Sequence, residues 1–232
     1  MCGRYVIDED GNVIAFIYGV PKSREIDIKR RYNIAPTTQV PVIRQDDEGR
    51  RIDLMRWGLI PFWAKDAKIG YSLINARGET VADKPSFREA FKRRRCLIPA
   101  SGFYEWQSVP GAKVKQPHYI TLQSGEPMTF AGLWESWKNP EGEHIESCTI
   151  VTTEANEMMA RLHNRMPVIL DKKGWDAWLD SASDREILLA LIHSYPADEM
   201  RAWPISTRVN KPAEDSPALL ERLNPAPADS AN

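Results

Sequence analysis

Cysteine and histidine are scarce in this chain: three cysteines and four histidines in 232 residues. The cysteines, Cys2, Cys96 and Cys148, are odd in number and form no CxxC pair. They offer neither a disulfide framework nor a zinc spacing. No apolar run is long enough to cross a bilayer, and none near Met1 has the make-up of a signal peptide. A reducing, cytoplasmic setting is therefore expected, with no membrane, no metal and no cofactor. Net charge is nearly absent too, at −1. There is no internal repeat and no linker, so a single domain is expected over 1–223, followed by a disordered Pro/Ala-rich tail over 224–232.

What the chain does have is length and contrast. With 42% hydrophobic and 27% charged residues it has the make-up of a globular protein with a sizeable core. Residues 1–116 hold 21 Lys+Arg against 14 Asp+Glu, whereas 117–232 hold 10 against 18. A basic half fits either a polyanion partner or two halves that neutralise each other on folding.

The second residue stands apart. Methionine aminopeptidases remove an initiator that precedes a small side chain, so Met1 is expected to be lost and Cys2 to become the terminus. One residue would then carry an α-amine of reference pKa about 7.7–8.0 and a thiol of about 8.5. Near neutral pH enough of that amine is uncharged to attack an aldehyde. The thiol can then close on the imine, giving a thiazolidine. Neither a lysine nor an internal cysteine can do both. Position alone equally allows Cys2 to be an ordinary second residue.

Alternating and β-branched runs predict strands over 4–7, 40–44, 52–57, 118–123, 128–137, 147–152, 168–170 and 202–206, and two more within 95–106, bent at Ser101-Gly102. The turn Asp46-Asp47-Glu48-Gly49 makes a hairpin of 40–44 and 52–57. Residues 22–31 read as a surface helix or loop, and Pro36 as a fixed turn. Helices are expected over 12–18, within 84–95, over 153–162 with Thr153 as cap, over 171–179 with Asp171 as cap, and over 184–193 behind a Ser183/Glu186 capping box.

Several segments carry two readings each. The aromatic run 57–63 suits a core plug or a loop that stacks on bases. The run 84–95 has six basic residues against one acid, a solvated face or a phosphate-facing one. Glu105, between Tyr104 and Trp106, is either a surface residue or a buried carboxyl whose raised pKa suits proton transfer. His163, at the end of the expected helix, is placed for protonation by the helix dipole.

Nine runs in order, MCGRY, RYNIAPTT, WGLIPFWA, INARGET, RCLIPASGFYEW, FAGLWE, CTIVTTEAN, HNRMPVIL and ISTRVN, resemble the SRAP family, the SOS-response-associated peptidase proteins, from Met1 to about Leu220. The resemblance implies an α+β single domain: a twisted, mainly antiparallel, barrel-like β-sheet core with peripheral helices. It also implies a covalent crosslink between processed Cys2 and abasic sites in single-stranded DNA, which shields them from cleavage. Carried over by position, Cys2 matches the nucleophile and Asn75 the asparagine that orients it. Glu105 matches the acid/base group and His163 the histidine beside the lesion. Arg4, Arg77 and Arg165 match arginines on the DNA backbone, and Pro36 and Trp63 apolar groups against flanking bases. Asn33, in the run that holds Pro36, belongs with the DNA-binding set. The phosphate contact expected within 84–88 falls to Lys84 or Arg88. A monomer, nucleoid-associated when acting on DNA, is expected.

The chemistry agrees with this. An abasic sugar is mostly a closed hemiacetal, and a carboxyl and an imidazole suit the proton transfers that expose its aldehyde. Trapping the imine with sulfur prevents the β-elimination that an imine invites. Arginines on phosphates supply sequence-independent affinity. Rival readings are an amidohydrolase or thiol peptidase with Cys2 as nucleophile and His163 as partner, and a noncovalent single-strand-binding module. The downstream motifs of glutamine amidotransferases are not found.

Overall fold

β-Branched and aromatic runs favour extended backbone wherever they can pack on two sides, and strands dominate. A computed structural model describes residues 2–24 and 26–223; the expected loss of Met1 and the tail over 224–232 lie outside them. In chain order, β1 (Tyr5–Ile7) leads into α1 (Gly11–Tyr18), then β2 (Arg31–Ile34), β3 (Gln39–Asp46) and β4 (Gly49–Trp57). After β5 (Asn75–Arg77) come α2 (Arg88–Arg93), β6 (Arg95–Ala100) and β7 (Gly102–Gln107). The second half runs through β8 (Gln116–Leu122), β9 (Met128–Lys138), β10 (His144–Glu154) and β11 (Arg165–Pro167), then α3 (Lys172–Leu179), α4 (Arg185–Ala190) and β12 (Met200–Pro204).

The hairpin predicted at the acidic turn is β3–β4, in register from Gln39 opposite Arg56 to Asp46 opposite Gly49. It is part of a closed ring, β10–β4–β3–β6–β9, in which β9 returns to pair with β10. Closure removes the open edges that a sheet would otherwise expose. The seam is thin between β3 and β6, a single pairing of Ile43 with Leu97. Interior space is short: a Cβ on Gly132 would come within 2.8 Å of Cys96 Sγ and 2.9 Å of Ile98 Cδ1. β10 outruns the ring, and its far end pairs with β5 and β11.

A second, antiparallel sheet, β12–β8–β7–β1–β2, lies against this barrel. Tyr5 joins the two: its ring meets Trp57 edge-on at 5.2 Å and Phe130 at 6.0 Å. Because side chains alternate along a strand, the same sheet holds a smaller outer cluster of Val6, Tyr104, Tyr119, Ile205, Val209 and Leu219. This is the expected α+β architecture, with helices at the periphery.

Arg95 is buried and spends its donors on helix ends. It donates to Phe91 and Lys92 carbonyls of α2, and to the carbonyls of Trp178 and Asp180 at the end of α3, all at 2.6–2.7 Å. Terminal carbonyls have no partner within their own helix, and a cation satisfies them well.

Local expectations divide. Asp171 caps α3 as predicted, accepting from Gly174 N at 2.8 Å. The Ser183/Glu186 capping box does not form: Ser183 donates its hydroxyl to Ala177 O at 2.6 Å, and α4 ends at Ala190. The helix expected over 153–162 is absent. Thr153 sits in β10 opposite Met166, and only the 3-10 turn Met159–Arg161 remains, where Asn156 Oδ1 accepts from Met159 N at 2.9 Å. β11 takes Arg165–Pro167, not 168–170, and residues 31–34 add the strand β2. The basic helix is only Arg88–Arg93, since Arg95 already belongs to β6.

Candidate active site

Cys2 is fully buried at the end of the second sheet. The β1–β7 ladder continues beyond β1, with Tyr104 N donating to Arg4 O at 3.0 Å, so the chain start runs along β7 towards Glu105. Asn75 Nδ2 donates to the Cys2 carbonyl at 2.9 Å. Asn75 is delivered by β5, whose residues pair in parallel with Ile150, Val151 and Thr152 of β10. The other amide atom, Asn75 Oδ1, is buried with no hydrogen-bond partner among the described residues. Burial pushes the Cys2 thiol well up, and the Glu105 carboxylate adds to this. The sulfur therefore stays protonated at neutral pH.

Glu105 is 3% exposed, so the buried reading holds over the surface one. Alternation on β7 puts Phe103 in the main core and Tyr104 in the outer cluster, leaving Glu105 on the inner face with Phe103. Burial pushes its carboxyl up to about 7. His118 stands directly opposite it on β8, and opposite residues of a ladder share a face.

His163 ends the turn after Met159 and is held by two backbone contacts. Its N–H donates to Met159 O at 2.8 Å, and its Nδ1 accepts from Arg165 N at 3.0 Å. With Nδ1 accepting, the neutral ring carries its proton on Nε2. Burial lowers its pKa below the usual histidine value. The dipole effect expected for it fails because the helix it would terminate does not form. His163 lines a cleft of about 660 Å³ together with Arg77 and Arg165.

The cationic set is less uniform than the sequence suggests. Arg77 is exposed on the cleft. Arg165 Nη2 donates to Glu79 Oε2 at 2.9 Å and to Thr152 O at 2.8 Å, while its Nη1 pairs with Glu79 Oε1. Arg4 donates through Nη1 to Asn33 Oδ1 at 2.7 Å and Val209 O at 3.0 Å. Asn33 itself is 3% exposed, and its Nδ2 serves the carbonyls of Val209, Lys211 and Glu214. That side chain is a brace between the chain's two ends, with no donor left for a phosphate.

Trp63 is 47% exposed, its indole reaching Pro85 O at 3.4 Å, and neighbouring Phe62 is 57% exposed. The aromatic run thus splits: Trp57 plugs the core, and Phe62 and Trp63 face outward. Pro36 is half-buried, Lys84 lies over the Phe87 ring, and exposed Arg88 opens onto a separate hollow with Lys92 and Arg185. Sequence reasoning missed Glu79 and His118. A carboxylate two residues after Arg77 was visible, but its partner 86 positions away was not. Among the described residues no group of three or more potential metal ligands occurs, and no helix is long and apolar enough to cross a membrane.

Barrel, flanking sheet and a buried Cys2 whose carbonyl is held by Asn75, with the Glu105 carboxyl beside it, define an α+β protein with a candidate cysteine centre near the start of the chain. The chain belongs to the SOS response associated peptidase (SRAP) family, whose sequence model matches residues 1–212. It is 43% identical over 223 residues to the abasic site processing protein YoqW of Bacillus subtilis (strain 168), covering 95% of this chain and 99% of that one. The abasic site processing protein HMCES of Rattus norvegicus is 34% identical, over 85% of this chain and 65% of its own length. A crystal structure of a Bacteroides thetaiotaomicron protein superposes with a TM-score of 0.85 at 26% identity, covering 96% of this chain and all of that one.

Proposed function

We propose that this protein processes abasic sites in single-stranded DNA by forming a thiazolidine crosslink through Cys2 once Met1 is removed. The observation that carries this reading is the convergence of Asn75 and Glu105 on Cys2. The relatives named as abasic site processing proteins supply the substrate class.

A carboxyl with a pKa near 7 is present in both forms at neutral pH. Protonated Glu105 donates to the ring oxygen as the hemiacetal opens while the anomeric hydroxyl gives its proton to water, and in the reverse direction the carboxylate takes the proton of the attacking hydroxyl. The α-amine attacks the exposed aldehyde carbon, and water leaves as the imine forms. The Cys2 S–H then adds across the C=N bond: sulfur bonds to carbon and the proton goes to nitrogen. Because burial keeps the thiol protonated, the amine is the first nucleophile and sulfur the trap. Asn75 Oδ1 is available to accept from the amine or from a sugar hydroxyl. His163 lines the cleft with Arg77 and donates to the opened sugar or its phosphate. Arg77, Lys84 and Arg88 supply backbone attraction, and Trp63 and Pro36 meet the flanking bases. The protein acts as a monomer at the nucleoid.

A thiol peptidase needs a thiolate at working pH, and burial of this sulfur works against that. The deciding experiment mixes purified protein with a single-stranded oligonucleotide holding one abasic site. The expected result is a band that survives denaturing electrophoresis, absent with undamaged DNA and absent for Cys2→Ala. Intact mass should show the chain without Met1. A retained Met1, or lesions that separate from wild-type protein in denaturant, would end the proposal.

A further inference from the structure

The ion pair between Glu79 and Arg165 is geometrically an occupied phosphate site. An arginine fork accepts a carboxylate or a phosphate in the same two-point manner. Here both terminal nitrogens of Arg165 are taken by the two oxygens of Glu79. Arg165 is additionally tied to Thr152, through the carbonyl at 2.8 Å and the hydroxyl at 3.3 Å. Its side chain is 13% exposed, whereas that of Glu79 is 47% exposed. The arginine is therefore anchored from inside the fold without Glu79, and the carboxylate lies on the solvent side, where it can swing away.

Local backbone puts the carboxylate there deliberately. Gly78 lets the 3-10 turn Gly78–Thr80 lie against β10 and the 190s segment. A Cβ on it would come 2.2 Å from Ile192 Cγ2 and 3.2 Å from Thr152 O. That close approach aims Glu79 back across the end of β10 at Arg165. The pairing holds the Glu79 carboxyl below the usual carboxylate range, with Arg77 contributing, so it is charged at neutral pH.

We infer that Glu79 is a specificity-determining residue, an anionic placeholder that a DNA phosphate must displace from Arg165. The inference rests on the proposed function and adds Arg165 to the side chains that meet the DNA backbone. Intact single strands, which offer only phosphates, gain little from exchanging one anion for another on this fork. A strand carrying an abasic site offers the same phosphate plus a covalent reaction at Cys2, and so is retained. Glu79 thus lowers affinity for all single strands and leaves discrimination to the chemistry.

The test is Glu79→Gln, which keeps shape and removes charge, with Glu79→Ala as a second variant. Fluorescence anisotropy with an undamaged labelled oligonucleotide at fixed salt should show binding about two- to fivefold tighter for both, the range expected for releasing a half-exposed ion pair. At subsaturating abasic DNA the second-order rate constant of adduct formation should rise by about the same two- to fivefold factor. Capture of abasic DNA should become correspondingly more sensitive to undamaged competitor. Equal or weaker binding by the variants, while wild type binds, would overturn this inference alone. No binding of any single strand by wild type or variant would overturn the functional reading and this one with it.

Discussion

At Glu105 the same burial that suits catalysis works against stability, and both effects can be measured. Its carboxyl is pushed from 4.5 up to about 7 in the fold, so between those values the folded chain holds a proton that the unfolded chain has released. Stability therefore falls as pH rises through that window and is level above it. Glu105→Gln should match wild type in urea melts near pH 4. It should exceed wild type at pH 8, by an amount on the order of 3 kcal/mol. Capture of abasic DNA should respond oppositely. The wild-type rate should rise with pH as the amine deprotonates and fall again above about 7 as Glu105 loses its proton. Glu105→Gln should lose that upper limb and slow by about 10²–10⁴-fold, the usual span for a general acid; single-turnover assays from pH 5 to 9 read both. Residue identity was legible here, since a glutamate flanked by Tyr104 and Trp106 in a strand invites burial. Asn33 shows the opposite case. Its motif pointed outward to DNA, yet its amide is consumed by three carbonyls of a segment more than 170 positions away. No local pattern encodes a partner at that range.

Elements were legible where one strand or one cap decides them. The β3–β4 hairpin follows from its acidic turn and flanking β-branched residues, and the α3 cap from Asp171. The capping box at α4 failed because the helix begins at Arg185 with Asp184 as its N-cap, which leaves Ser183 one residue too early, its hydroxyl donating to Ala177 O, a contact that depends on how α3 ends. Asp171→Ala should therefore cost about 1 kcal/mol in chemical denaturation. Glu186→Ala, which breaks no capping box here, should stay within about 0.5 kcal/mol of wild type. The helix expected over 153–162 was lost to tertiary pairing. Thr152, Thr153 and Glu154 found partners in Pro167, Met166 and Arg165, and β-branched residues gain more as a buried strand than as a first helical turn. This loss also shapes His163, whose pKa burial lowers and whose Nδ1 accepts from Arg165 N, where a helix end would have favoured its cation.

Across the whole molecule the basic first half and acidic second half do meet. Arg44 pairs with Glu146, Arg50 with Asp176 and Arg94 with Glu135. Part of the charge imbalance is therefore spent inside the fold and not on a polyanion. The two ends of the described chain are joined as well. Asn33 and Arg4 are bound to carbonyls of the segment 209–214, and Asp215 accepts from the backbone of Tyr32 and Asn33. Asn33→Ala would leave several buried carbonyls without a donor. It should cost about 2–4 kcal/mol in urea denaturation, and it should weaken capture only through loss of folded protein. What the sequence determined by itself was the set of chemical groups, the strand-rich pattern and the family. These depend on residue type and short-range periodicity, which any reader of the chain can see. Tertiary structure alone decided which cation is exposed and which is already paired, that Glu105 lies beside Cys2, and that His163 follows a 3-10 turn and not a helix, where burial lowers its pKa. Those properties arise from contacts between strands far apart in sequence, where register and burial, not composition, set distance and charge.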